Sequence, residues 1–197
     1  MKKIIVFGAT GTLGANIATH LTKLGYEVVA VGHRKNDNGF FADYGIPYFS
    51  VDISKADDFD KLPIQDYYAV VHFAGALPAS MKGYDATLYI SSIIQGTYNV
   101  LEFARRVNAE RFIFPQSLFD ISYLFGSKTP IHPDSLRKAP LDGDHAMYVI
   151  AKNAAVDLIE HYYKIYGLKR FIFRLSSLFD IKKIKKFKFG IAIYKKV

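Results

Sequence analysis

Two spacings in this sequence carry chemistry. Tyr148 and Lys152 stand four residues apart in a stretch that reads as a long helix, residues 145–166. Residues four apart on a helix share a face, so an ammonium can lie beside a phenol. A free phenol has a pKa of about 10 and is a poor base at neutral pH. One positive charge about 4 Å away, at an effective dielectric of about 20, is worth roughly 4 kcal/mol, or about three pKa units. A shift of that size would make Tyr148 a usable general base. Such pairs also occur on ordinary amphipathic helices, and the pair alone does not separate the two readings.

The second spacing lies at the start of the chain. Gly8, Gly11 and Gly14 follow the apolar run Ile4-Ile5-Val6-Phe7 and precede apolar residues at helical intervals, Leu13, Ile17, Leu21 and Leu24. Strand, glycine turn and helix in that order present backbone N–H groups at a helix N-terminus, where a phosphate is favoured. Gly8 permits the turn, Gly11 lets a pyrophosphate approach the backbone, and Gly14 lets the helix pack on the strand. An ordinary strand-to-helix turn gives the same triplet.

Both features need a scaffold, and strands alternate with helices along the chain. Strands are predicted at 4–7, 27–31, 47–51, 67–73, 111–114 and 170–175. Helices are predicted after Gly8, at 86–107 and at 145–166, with a short acidic helix or turn at 54–62. Gly25 and Gly167 read as helix stops. Residues 118–144 read as an irregular insert of about 27 residues, a length that usually signals function. The pattern predicts an α/β fold, a Rossmann-type doubly wound parallel sheet of order 3-2-1-4-5-6 with helices on both faces. Ligands then belong above the carboxyl ends of the strands, where Gly8–Gly14, Arg34, Asp52, Ala74-Gly75 and Ser117 all fall.

Composition narrows the classes. The chain has 197 residues and no cysteine, so disulfides and thiolate chemistry are excluded, and a reducing, cytoplasmic setting is expected. The net charge is +8, but residues 180–197 hold seven lysines and one aspartate, +6 of that total. The rest shows no basic stripe, so no nucleic-acid partner is expected. No apolar run reaches about 18 residues and no membrane partner is expected. The six histidines show no metal-ligand spacing. His72 reads as a packing residue at a strand end, and His145, three residues before Tyr148, as exposed or else facing the site. Asp57-Asp58 and Asp142/Asp144 read as cap or loop carboxylates.

Six motifs stand in one order: GATGTLG after the first strand, Val51-Asp52-Ile53 after the third, His72-Phe73-Ala74-Gly75-Ala76 after the fourth, Gly96–Arg105 (GTYNVLEFAR) on the long helix, Ser117 after the fifth strand, and Tyr148-x-x-x-Lys152. Together they resemble the extended short-chain dehydrogenase/reductases, in the NAD-dependent epimerase/dehydratase group typified by UDP-glucose 4-epimerase, over residues 1–179. The resemblance implies that Gly8, Gly11, Thr12, Leu13 and Gly14 bind a dinucleotide pyrophosphate. It implies that Asp52 and Ile53 frame the adenine and that Ala74, Gly75 and Ala76 line the nicotinamide side. Ser117, Tyr148 and Lys152 become a catalytic trio, with Ser117 holding the substrate oxygen and Lys152 also bonding the cofactor ribose. The nicotinamide would take the hydride. The implied activity is an NAD(P)-dependent epimerase or oxidoreductase acting on a nucleotide sugar or a related hydroxyl or keto compound. A plain NADPH-dependent carbonyl reductase and a non-catalytic cofactor-binding module or inactive fragment are the alternatives. Relatives pair through helices equivalent to 86–107 and 145–166, which implies a homodimer.

Four departures from the family pattern are visible. Gly32 stands where an acid usually grips the ribose 2′-OH, and Arg34-Lys35 follow, which favours NADP over NAD. Leu118-Phe119 follow Ser117 where dehydratases carry an acid pair, which argues against dehydration and leaves Asp120 structural or loop-exposed. Ile93 replaces a common asparagine three residues before Gly96, which puts the local backbone in question. Finally, 180–197 reads as a lysine-rich tail, or as solvated lysines around an edge strand 191–194, where relatives continue into a substrate domain. A C-terminally truncated chain is the expectation.

Overall fold

A computed structural model describes residues 1–78, 85–128, 130–143 and 145–175. The tail 180–197 with its expected edge strand, the run Ser176–Phe179 and Asp144 lie outside them. Six parallel strands, β1 (Lys3–Phe7), β2 (Glu27–Gly32), β3 (Tyr48–Ser50), β4 (Ala69–His72), β5 (Arg111–Ser117) and β6 (Lys169–Leu175), form one sheet of order β3-β2-β1-β4-β5-β6. That is the predicted order.

Alternation along the strands divides the core between two faces. Ile5, Phe7, Val29, Val31, Val70, Phe112 and Phe114 join one cluster with residues of α3 (Gly96–Arg106) and α4 (Ala146–Tyr166). Ile4, Val6, Val28, Ala30, Ala69 and Val71 join a second cluster with Ala18 of α1 (Thr12–Lys23). Because both faces are covered, the central strands are apolar runs rather than alternating ones.

The expected long helix 86–107 is present but is not uniform. It opens as α2 (Ala86–Tyr89), widens into a π-helical stretch over Ile90–Gln95, and returns to α geometry in α3. Wide turns of this kind are frequent at functional sites. The strand predicted at 111–114 runs on to Ser117, because β6 pairs with β5 along its whole length. The stretch 118–144 is less irregular than expected, since Leu118–Leu124 forms 3₁₀ turns broken at Ile121. Asp120 proves structural rather than loop-exposed. It is fully buried, and both its carboxylate oxygens accept from Arg174 Nε, at 2.9 and 3.0 Å.

Candidate active site

The glycine turn is shaped by its own backbone. Gly8 has φ +81°, and a Cβ there would stand 2.6 Å from Ala74 N and Phe73 C. A Cβ on Gly14 would stand 2.2 Å from Gly8 O. Gly11 is different: Gly8 O, at 3.3 Å, is the one described atom that a Cβ would meet. Gly11 is the N-cap of α1, whose first amides have no intrahelical acceptor. No side chain caps them and no acid lies in the first turn. Gly11 and Thr12 are exposed and Leu13 is half-buried. The turn is tied to β2 by Ala9 N donating to Val31 O at 2.9 Å. The turn therefore offers backbone donors and no competing carboxylate, features that favour an anion at a helix N-terminus.

Around the turn lie the ends of the other strands. Asp52, just past β3, accepts at Oδ1 from Ser54 Oγ (2.7 Å) and Ser54 N (3.1 Å). Burial pushes its carboxyl up, but the two Ser54 bonds, with His33 and Lys55 nearby, outweigh that and hold it below the ordinary value. Ile53 is buried. Ala74-Gly75-Ala76 follow β4 against the glycine turn. Arg34, two residues past the end of β2, is exposed, with its carbonyl accepting from Tyr48 Oη at 2.6 Å.

Ser117 ends β5 almost buried, and its Oγ accepts from Phe119 N at 3.2 Å. Its own N–H donates to Gln116 Oε1 (2.8 Å), and Gln116 Nε2 donates to Asn153 Oδ1 (2.8 Å) on α4. The serine is thus fixed relative to the residue beside Lys152. Neither Gln116 nor Asn153 announces this in the sequence, since the contact joins residues 37 apart.

Tyr148 lies on α4, with its ring edge-on to Tyr89, centroids 6.3 Å apart. Here the electrostatic expectation is corrected. Burial, and then the neighbouring Tyr89, push the Tyr148 phenol up, not down. Lys152 is engaged elsewhere. Its Nζ donates to Pro115 O at 2.8 Å and lies 4.1 Å from the Phe114 ring centroid. Burial lowers its own pKa to about 7. Among the described residues no hydrogen bond joins Ser117, Tyr148 and Lys152 to one another.

His72, at the end of β4, is fully buried, and its Nε2 is 3.0 Å from Thr97 Oγ1. Burial, and then the charge of Lys152, lower its pKa to about 3, so it is neutral. This bears out its reading as a packing residue. His145 does not stand free: its ring stacks on Phe119 with centroids 4.1 Å apart. Among the described residues no group of three or more His, Cys, Asp or Glu is placed to hold a metal, and no helix is long and apolar enough to cross a membrane.

The profile of the NAD-dependent epimerase/dehydratase family matches residues 4–181. A Methanocaldococcus jannaschii protein named "Putative UDP-glucose 4-epimerase" is 23% identical over 194 residues, covering 95% of this chain and 60% of that protein. The UDP-glucose 4-epimerase of Schizosaccharomyces pombe is 26% identical over 122 residues, 58% of this chain and 34% of the relative. Among solved structures, a UDP-galactose 4-epimerase superposes with a TM-score of 0.73 at 22% identity, over 87% of this chain and 55% of that one. The Thermus thermophilus UDP-glucose 4-epimerase in complex with NAD gives 0.72 at 21%, over 87% and 54%. The chain therefore spans about 60% of the length of the first of these relatives. The glycine turn, the strand order and the match over nearly the whole sequence agree, and the chain belongs to the NAD-dependent epimerase/dehydratase family.

Proposed function

We propose that this chain is the cofactor-binding and catalytic part of an NAD(P)-dependent epimerase or oxidoreductase that acts on a nucleotide sugar. The observation that carries the reading is the Ser117–Gln116–Asn153 link, which sets a strand-end serine against the helix bearing Tyr148 and Lys152, beside an anion cradle at the end of β1. The cradle residues fit a dinucleotide pyrophosphate, because the face of Gly11 is open and the α1 amides are uncapped. When bound, the nicotinamide supplies the hydride acceptor.

In this reading Tyr148 first loses its own proton to solvent, and its phenolate then takes the proton of a substrate hydroxyl and later returns it. Ser117 Oγ donates its hydrogen to the same substrate oxygen as charge changes there. The raised pKa of Tyr148 suits a proton donor, and its use as a base requires a positive charge nearby. Lys152 supplies that charge when its ammonium leaves Pro115 O and turns toward the phenol and the cofactor ribose. The relatives bear the names "Putative UDP-glucose 4-epimerase" and UDP-glucose 4-epimerase, which supports a nucleotide sugar as substrate. Arg34, exposed beyond Gly32 with no acid at that strand end, supports NADP over NAD. Leu88, Ile90, Tyr98 and Ile150 are 52, 47, 43 and 37% exposed on the two long helices, which supports a homodimer through them.

The test is stepwise. Calorimetry with NAD and NADP measures cofactor binding, and tighter NAD binding would reject the NADP preference. Turnover is then followed on a panel of UDP-sugars, with Tyr148→Phe as the control. Near-full turnover by Tyr148→Phe would reject its assignment. Net consumption of cofactor would mark a reductase rather than an epimerase. Light scattering that finds only monomer would reject the dimer.

A further inference from the structure

The helix running through α2, the π-helical stretch and α3 reaches the loops beyond β3 and β4 at several points. Asn99 is buried, and its Nδ2 donates to Ile53 O at 2.8 Å. Its Oδ1 accepts from Gln95 Nε2 at 2.9 Å, so both ends of the amide are committed. Nearby on the helix, a Cβ on Gly96 would lie 2.6 Å from Ile53 Cδ1. At the other end, Ser92 Oγ accepts from Ala76 N at 3.1 Å and donates to Leu88 O at 2.6 Å. Ile93 Cγ1 stands 3.2 Å from the place of a Cβ on Gly75. Between these ends, Thr97 pairs with His72 at the last residue of β4.

The two loops need such support. The ladder between β2 and β3 stops at Ser50, and that between β1 and β4 stops at His72. One further bond continues each pairing, Val51 N to Gly32 O and Phe73 N to Phe7 O, both 2.9 Å, and past Val51 and Phe73 the sheet no longer sets the backbone. The wider π turn rotates each residue by less than an α turn, so the consecutive Ser92 and Ile93 reach the same loop. This also answers the missing asparagine at Ile93: the hydroxyl of Ser92 holds the loop amide.

We infer that this helix is a template that sets the two halves of the dinucleotide site independently, with Asn99 as the positioning residue for the adenine-side loop and Ser92 for the nicotinamide-side loop. The inference rests on reading the cleft as an NAD(P) site. Neither residue touches the ligand; each acts through a backbone group of the loop it holds.

The experiment is calorimetry on the 197-residue chain with a dinucleotide and its adenosine half, NAD with AMP, or NADP with 2′,5′-ADP if the wild type favours NADP. Asn99→Leu is expected to weaken both ligands alike, by about three- to tenfold, the worth of one hydrogen bond. Ser92→Ala is expected to weaken the dinucleotide by about the same factor while leaving the adenosine half within about twofold. Ser92→Thr, which keeps the hydroxyl, should restore dinucleotide binding. Thermal unfolding of each variant separates this from general loosening, and Ser92, being only part-buried, supplies the deciding arm if Asn99→Leu does not fold. Equal losses of both ligands in Ser92→Ala, or unchanged dinucleotide binding in it, would overturn the inference. A wild-type chain that binds neither ligand would instead overturn the reading of the cleft, and the inference with it.

Discussion

Lys152 Nζ donates to the carbonyl oxygen of Pro115, 2.8 Å away, rather than to any group of Tyr148. The acceptor is available because β4 pairs with β5 only at Phe112 and Ile113, so β5 has left that neighbour by residue 115. Proline brings no N–H to satisfy there. The ammonium is then covered by Phe114 and α4, and burial lowers its pKa to about 7. A charge that the proposed reaction needs is held inside the protein, at a cost to stability.

Lys152→Met should therefore stabilise the chain while weakening cofactor binding. The sign follows from linkage. Between about pH 7 and the usual lysine value of 10.5, the unfolded chain holds a proton that the folded chain has released, so stability rises with pH across that window. Below about pH 7 both states are protonated and the full penalty applies. Replacing a buried charge by an apolar side chain removes its desolvation penalty, and the gain should be largest at pH 6 and fade toward pH 10. Urea unfolding at both values measures it. A variant less stable than wild type at pH 6 would contradict the prediction. His72 acts in a separate window: neutral when folded, with a pKa of about 3 against 6.5, it makes stability fall as pH drops from 6.5 toward 3. His72→Phe should flatten that acid limb.

The three glycines of the first turn should separate by experiment. Gly14→Ala puts a methyl 2.2 Å from Gly8 O, a backbone atom that cannot swing aside. It should lower the melting temperature by several degrees, as overpacking of about 1–3 kcal/mol implies. Gly11→Val should cost less stability than Gly14→Ala, because the one described atom its Cβ meets, Gly8 O, is 3.3 Å away rather than 2.2 Å, yet remove most cofactor affinity. Calorimetry and thermal unfolding on the two variants check this. Unimpaired binding by Gly11→Val would mean that the cradle does not hold the pyrophosphate.

Much of this was legible in the sequence. Strand order followed from the alternation of apolar runs with helical periods, since right-handed crossovers leave few topologies open. The cradle followed from glycine spacing. What the sequence hid depends on contacts between distant residues. Nothing local marks Asn99 as the partner of Ile53, or Gln116 as the bridge from Ser117 to Asn153. The direction of the Tyr148 shift was missed because a spacing of four on a helix shares a face without fixing where a flexible ammonium goes. Lys152 found a buried carbonyl on β5, an acceptor that appears only once the sheet is built.

The segment after Ser117 supplies the last prediction. One guanidinium joins three parts of the chain: Arg174 at the end of β6 binds both carboxylate oxygens of Asp120, and its Nη1 and Nη2 donate to Pro133 O (2.6 Å) and Ser135 O (3.1 Å). Lys138 N adds a bond to Asp120 O at 2.7 Å. Asp120→Ala leaves Arg174, whose side chain is 19% exposed, without its counter-charge. Breaking one side of a buried pair costs about 3–5 kcal/mol, so the midpoint of urea unfolding should fall sharply. Asp120→Ala with Arg174→Met removes both charges and should recover part of the loss, giving a non-additive double-mutant cycle. Limited proteolysis gives a second readout, because cleavage between Pro130 and Lys138 should speed up in Asp120→Ala before global unfolding does. An additive cycle with unchanged cleavage would mean that the pair does not hold this segment. Ser117 lies three residues from Asp120 in the same turn, so releasing Asp120 should also lower turnover, with the loss falling on kcat more than on KM.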